Sequence, residues 1–138
     1  MFSNLTEQQK GAAIKLHVSQ EFYIFDICYK RLNEKMEDPD LRIYLESFLL
    51  HARNLFDFLC TEKRYGDDIS VVDFSAGYFK ISETEVPITK INKQLSHITY
   101  SRLKPEDLFE KRMVIYKTIR DSLAKYNEKV IESYQVTI

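Results

Sequence analysis

Glycine and proline are scarce in this chain, with three of each among 138 residues. A β-sandwich needs many tight turns, and turns draw on both residues for backbone angles that other residues adopt poorly. Their scarcity therefore favours an all-α fold. No apolar run approaches the length of a membrane span, and residues 1–15 lack the basic and then apolar segments of a signal peptide. We expect a cytoplasmic protein without membrane contact.

Cysteine and net charge are also low. Cys28 and Cys60 are too few for a disulfide framework, and their separation fits no metal-binding or redox motif, so we expect reduced, buried thiols. Twenty basic and 21 acidic residues leave a net charge of -1. Such a balance gives no broad positive surface for duplex nucleic acid or anionic membranes. Any site for a polyanion must be a local basic patch.

Apolar residues are plentiful, at 44% of the chain with 13% aromatic. This content excludes intrinsic disorder for most of the sequence, and the length suits a single domain over residues 1–138. Apolar residues recur at steps of three and four in four segments, which is the spacing of amphipathic helices. The sequence therefore predicts a four-helix bundle of the up-down type.

The first two helices are bounded by capping signals. Thr6 and Gln9 form a capping box, and the apolar stripe that follows predicts a helix that ends near Glu37. Asp38 and Pro39 then suit the N-cap and first position of helix two. Helix two has an unusually wide apolar stripe, so we expect it to be the central helix or a dimer interface. Its inward-facing positions are Leu41, Leu45, Phe48, Ala52, Leu55 and Leu59.

The helical period fails between Arg64 and Glu83, which predicts a long acidic loop between helices two and three. Loops of this length are often functional or folded over the core, and the aromatic residues of this one favour docking. Pro87 and Pro105 then provide first-turn positions for helices three and four. We expect Ile88, Ile91, Leu95 and Ile98 to be buried in helix three. In helix four these are Leu108, Ile115, Ile119, Leu123, Tyr126 and Val130.

Two groups of polar residues are candidates for a site. Arg53 lies in a very apolar stretch of helix two and could pair with Asp57 four residues later, or bind an anion. On helix three, a rotation of about 100° per residue places Lys90, Lys93 and His97 on one stripe. Asn92 lies on another. The plainer interpretation is that Lys90 and His97 belong to a solvated helix face.

These segments resemble the HEPN superfamily of small α-helical domains. The resemblance rests on two long helices, on Ala52-Arg53-Asn54 with Asp57-Phe58, and on a polar third helix with a histidine. The family motif is an arginine, four to six residues and then a histidine, and the best match is Lys90, six residues and His97. Lysine here replaces arginine, whose planar guanidinium can hold phosphate through two hydrogen bonds.

The resemblance implies a homodimer that binds RNA or cleaves it without a metal or cofactor, as toxin–antitoxin or other defence ribonucleases do. His97 would be the general acid or base and Lys90 would stabilise phosphate charge. Arg53, Asn92, Lys93 and Arg102 would contact phosphate or substrate. The alternative is a non-enzymatic interaction module that binds a protein partner through helix two or the loop. A metal site of His17, His51 and His97 is disfavoured, because each lies off its apolar stripe.

Overall fold

The computed structural model of this protein describes residues 5–63, 65–96 and 106–138, and these residues form helices and no strand. The prediction of an all-α fold is confirmed. The α-helices are α1 (Glu7–Ala13), α2 (Ser19–Leu32), α3 (Asp40–Cys60), α4 (Ile88–Ser96), α5 (Glu106–Glu110) and α6 (Arg112–Lys129). A π-helix (Ile14–Val18) joins α1 to α2, and 3-10 helices span Val71–Phe74 and Glu132–Tyr134.

The first helical segment starts where the sequence predicts, with the Thr6–Gln9 capping box in place. Its middle is a π-helix, because Ile14 and Val18 are both buried four residues apart, and a wider turn keeps such a spacing on one face. The segment ends at Leu32, earlier than the predicted Glu37. Leu32 is buried and the next three residues are exposed, so no burial supports another turn.

Helix α3 is the centre of the fold, as its wide apolar stripe predicts. It packs against α2, α4, α6 and the 3-10 helix Val71–Phe74. Its buried residues are Leu45, Phe48, Leu49, Ala52, Leu55, Phe58 and Leu59. The helix begins at Asp40 with Pro39 at the N-cap, one residue later than predicted.

The segment between α3 and α4, residues 61–87, is long and lies partly against the core, as predicted. Val71, Phe74, Ala76 and Val86 are buried. The Phe79 amide donates to the carbonyl of Leu59 at 2.8 Å, which holds the loop against the end of α3. The loop therefore contributes apolar residues to the core while its acidic residues line the surface.

Helix four of the prediction is divided in two at Lys111, and its buried residues are those predicted in α5 and α6. Arg112 turns back across the break, where its Nη1 donates to the Phe109 carbonyl at 3.0 Å. The C-terminal tail then returns along α6: Asn127 exchanges two hydrogen bonds of 2.8 Å with the Val136 backbone. These contacts fix both ends of α6.

Helices α2 and α6 are joined by Tyr116 and Asp26. The Tyr116 hydroxyl donates to Asp26 Oδ1 at 2.5 Å, and its ring stacks on Tyr29 at a centroid distance of 4.0 Å. Burial and the hydrogen bond to Asp26 raise the pKa of Tyr116 to about 12. Burial alone would raise the pKa of Asp26, but the hydrogen bonds from Lys30 and Tyr116 outweigh it and lower that pKa.

This pair predicts losses of stability at both ends of the pH range. Tyr116 has a raised pKa, so its contribution is complete below its ordinary pKa of 10.0 and is lost as pH rises through about 12. Asp26 has a lowered pKa, so its contribution is present above 3.8 and is lost as pH falls through its folded value. We expect Tyr116→Phe to flatten both losses, as measured by chemical denaturation from pH 3 to 12. Tyr29→Phe is the control, and equal pH slopes in both variants would contradict the assignment.

Candidate functional site

Helix α4 places two lysines on one exposed face. Lys90 and Lys93 are exposed, one turn apart, while Ile91 is fully buried and Gln94 is nearly so. Neither lysine has a carboxylate partner within the described ranges. Asn92 is also exposed, but a rotation of about 100° per residue puts it on the opposite flank of the helix. The structure therefore brings Lys90 and Lys93 together and separates Asn92 from them.

The start of α4 is fixed by the preceding loop. The Thr89 hydroxyl donates to Glu83 Oε1 at 2.6 Å, and the Ile91 amide donates to the Pro87 carbonyl at 3.0 Å. An acidic side chain beside the first turn is favourable because it faces the positive end of the helix dipole. Local sequence thus determines where Lys90 and Lys93 emerge from the surface.

Three other predicted site residues are placed differently. Arg53 lies half-buried on α3, where it already makes a contact, so it is not a free anion ligand. His97 and Arg102 lie outside the described residues, and so does the step from Lys90 to His97 that carries the family resemblance. Their roles stay predictions. The ion pair between Arg53 and Asp57 also stays a prediction, while the Thr61 hydroxyl donates to Asp57 Oδ1 at 3.0 Å.

A second polar group, which we call the α2–α3 polar cluster, consists of Glu21, His51 and Asn54. Glu21 Oε2 is in hydrogen-bond contact with His51 Nδ1, and Asn54 Nδ2 donates to Glu21 Oε1 at 3.1 Å. The side chain of His51 is 15% exposed and that of Glu21 is 31% exposed. A carboxylate that holds one ring nitrogen fixes the imidazole orientation and leaves the other nitrogen for a further contact.

The α2–α3 polar cluster was missed by sequence reasoning, which placed His51 and Asn54 beside the apolar stripe without a partner. The partner, Glu21, lies on another helix. A signal was present, because Glu21 directly precedes the buried Phe22 and so lies at the edge of the α2 stripe. Two edge-lying polar groups on adjacent helices are expected to meet where the helices pack.

A cavity of about 280 Å³ lies at the C-terminal end of α3. Asn54 belongs both to its lining and to the α2–α3 polar cluster. Lys63 also lines the cavity, and its ammonium group pairs with Asp73 Oδ1 at 2.9 Å and Oδ2 at 3.2 Å. The cavity is therefore bounded by the helix end on one side and by the first part of the loop on the other.

Metal and thiol chemistry have few candidates in residues 5–63, 65–96 and 106–138. No group of three or more His, Cys, Asp or Glu there could hold a metal ion, and His17 is exposed on the π-helix. Cys28 is buried and donates to Ser47 Oγ at 3.4 Å. Cys60 is half-buried, and burial raises the pKa of its thiol to about 12. Both thiols are free and protonated, as the sequence predicts.

Among the described helices, none has both the length and the apolar character needed to cross a lipid bilayer. The aromatic residues considered for base stacking belong instead to the packed interior: Tyr126 is fully buried, and Tyr116 and Tyr134 pack against the core. Tyr100 lies outside the described residues. None of the protein-family models, curated proteins or solved structures compared with this chain matches it.

Proposed function

We propose that this protein is an HEPN-like domain that binds RNA through the exposed face of α4. One observation supports this most: Lys90 and Lys93 are both exposed on one side of the helix, and neither is neutralised by a carboxylate in the part of the chain described. Unpaired ammonium groups one turn apart can each displace a counterion from a phosphate, which is the main source of affinity for nucleic acid. A chain of net charge -1 needs such a local surface.

The proposed chemistry is cleavage within the RNA chain. The 2′-oxygen forms a bond to the adjacent phosphorus as the bond to the 5′-oxygen breaks. A base takes the proton of the 2′-hydroxyl, and an acid returns one to the departing 5′-oxygen. We assign the acid–base role to His97 and charge stabilisation to Lys90. Lys93, Asn92 and Arg102 are proposed substrate contacts, whereas Arg53 is a weaker candidate because it is half-buried and engaged.

The proposal includes a specific arrangement of helices. We infer an up-down four-helix bundle in which the α1–α2 segment, α3, α4 and the α5–α6 segment are the four members. The contacts of α3 with α2, α4 and α6, and of α2 with α6, are consistent with this arrangement. Two copies would form a homodimer, with the polar faces of α4 lining the shared cleft.

The test of this proposal is RNA binding by a double variant, Lys90→Gln/Lys93→Gln. We expect it to bind labelled single-stranded RNA more weakly than the wild type, in fluorescence anisotropy at fixed salt. Lys117→Gln/Lys125→Gln removes the same charge from exposed positions of α6 and serves as the control. Equal affinity of the two variants would contradict a site on α4.

A second candidate function is that of a non-enzymatic module that binds a protein partner. Apolar side chains are exposed on the two helices that pack most closely: Tyr23 is 60% exposed on α2 and Ile43 is 59% exposed on α3. Exposed apolar surface of this kind is typical of protein interfaces. This candidate predicts that the α4 lysines are dispensable for partner binding, which distinguishes it from the RNA proposal.

A further inference from the structure

The cavity at the end of α3 has the size of a small-molecule site. Its volume of about 280 Å³ is near the lower end of the range for ligand pockets, about 300 to 1,000 Å³. Its wall comes from the last turns of α3 and from residues 61–70 of the loop. It shares none of the residues assigned to RNA, so an inference about it is independent of the proposed function.

One hydroxyl in the cavity wall has no partner. Ser70 lines the cavity and is 2% exposed, and its Oγ makes no hydrogen bond within the described residues. Ser70 and Asp73 occupy the positions of a capping box. The bonds that form there use the Ser70 backbone, since its amide donates to Asp73 Oδ2 and its carbonyl accepts from the Asp73 amide. A buried hydroxyl without a partner costs stability, and a ligand in the cavity could satisfy it.

The charges around the cavity favour a cation. Asp57 and Glu62 line it and both are exposed, and no basic side chain pairs with either in the hydrogen bonds and ion pairs of the described residues. The C-terminal end of α3 adds the negative end of a helix dipole. Lys63 is the basic residue of the lining, and Asp73 already neutralises it through two contacts.

The remaining lining is apolar or aromatic, which suits a ligand with a hydrocarbon portion. Phe58 and Ile69 form part of the wall, and the ring of Tyr65 is 70% exposed beside it. An aromatic face attracts a cation, and an apolar wall accepts methylene groups. An aliphatic amine combines these properties, since its ammonium group can donate to a carboxylate and to Ser70 Oγ while its chain contacts Phe58 and Ile69.

We propose that this cavity is a binding site for a small aliphatic amine. The ammonium group binds at Asp57 and Glu62, and one of its N–H groups donates to Ser70 Oγ. A metal ion is a poorer occupant, because no group of three acidic, histidine or cysteine ligands in the described residues could hold one. An anion is disfavoured by the two carboxylates.

The test is isothermal titration calorimetry of the full chain with 1,4-diaminobutane. The matched ligand is 1,4-butanediol, which has the same length and no charge. We expect the diamine to bind in a saturable manner and the diol to bind at least about tenfold more weakly, because hydrogen bonds to a charged group contribute more than neutral ones. Equal binding of the two ligands, or no saturable binding of the diamine, would overturn the proposal.

Two variants place the diamine in this cavity. Asp57→Asn/Glu62→Gln is expected to weaken it about tenfold or more, and Ser70→Ala about two- to tenfold. Because Ser70 Oγ has no partner in the described residues, Ser70→Ala should keep the wild-type melting temperature, so weaker binding cannot be attributed to unfolding. Glu128→Gln, an exposed change on α6, is the control. A loss as large in Glu128→Gln as in the cavity variants, or an unchanged affinity in both cavity variants, would exclude this site.

Discussion

Phe48→Ala is expected to lower the free energy of unfolding by about 3 to 5 kcal/mol. Phe48 is fully buried at the middle of α3, and its ring stacks on Phe25 of α2 at a centroid distance of 4.8 Å. Tyr29 lies beside the same ring, at 6.2 Å. Truncation removes the transfer free energy of the ring and leaves a cavity that three packed aromatic neighbours cannot collapse into easily.

The control for Phe48→Ala is Ile43→Ala on the same helix. Ile43 is 59% exposed, so its truncation should change the free energy of unfolding by no more than about 0.5 kcal/mol. Chemical denaturation at pH 7 measures both. A loss under about 1 kcal/mol for Phe48→Ala would show that α3 is not the central helix of the fold.

His97→Ala is expected to slow RNA cleavage by about 100- to 10,000-fold, which is the usual contribution of a general acid or base. An imidazole titrates near neutral pH, so at pH 7 it can both accept and donate a proton. Six residues separate it from Lys90, which places both on one helical stripe of the sequence pattern. The base and the cation would then face the same phosphate.

His17→Ala is the control for this substitution, because His17 is exposed on the π-helix, away from α4 in the sequence. Single-turnover cleavage of a labelled RNA without added metal measures both variants. Equal rates for His97→Ala and the wild type would remove His97 from the mechanism. A wild type that binds RNA without cleaving it would leave only the binding part of the proposal.

The sequence predicted the helices well because burial repeats along each of them. Apolar steps of three and four identified the buried faces of α3 and α6, and proline and capping residues placed most of the helix starts. The errors lie where burial stops without a strong local signal. Helix α2 ends at Leu32 because the following residues are exposed, and no proline or glycine marks that point.

The candidate sites were predicted less completely, because they depend on contacts between distant segments. The exposed lysines of α4 follow from a single helical stripe, so sequence alone could place Lys90 beside Lys93. The pairing of Glu21 with His51 joins residues 30 apart on two helices. The cavity at Ser70 depends on how the loop returns to the end of α3, and no pattern in the loop fixes that path.

The salt dependence of RNA binding tests the central claim most directly. Each lysine that contacts a phosphate of single-stranded RNA contributes about 0.7 to the slope of log affinity against log salt concentration, so the slope of Lys90→Gln/Lys93→Gln should be shallower than that of the wild type by about 1.4. The slope of Lys117→Gln/Lys125→Gln should equal the wild-type slope. Equal slopes for the wild type and the α4 variant would contradict RNA binding by this face.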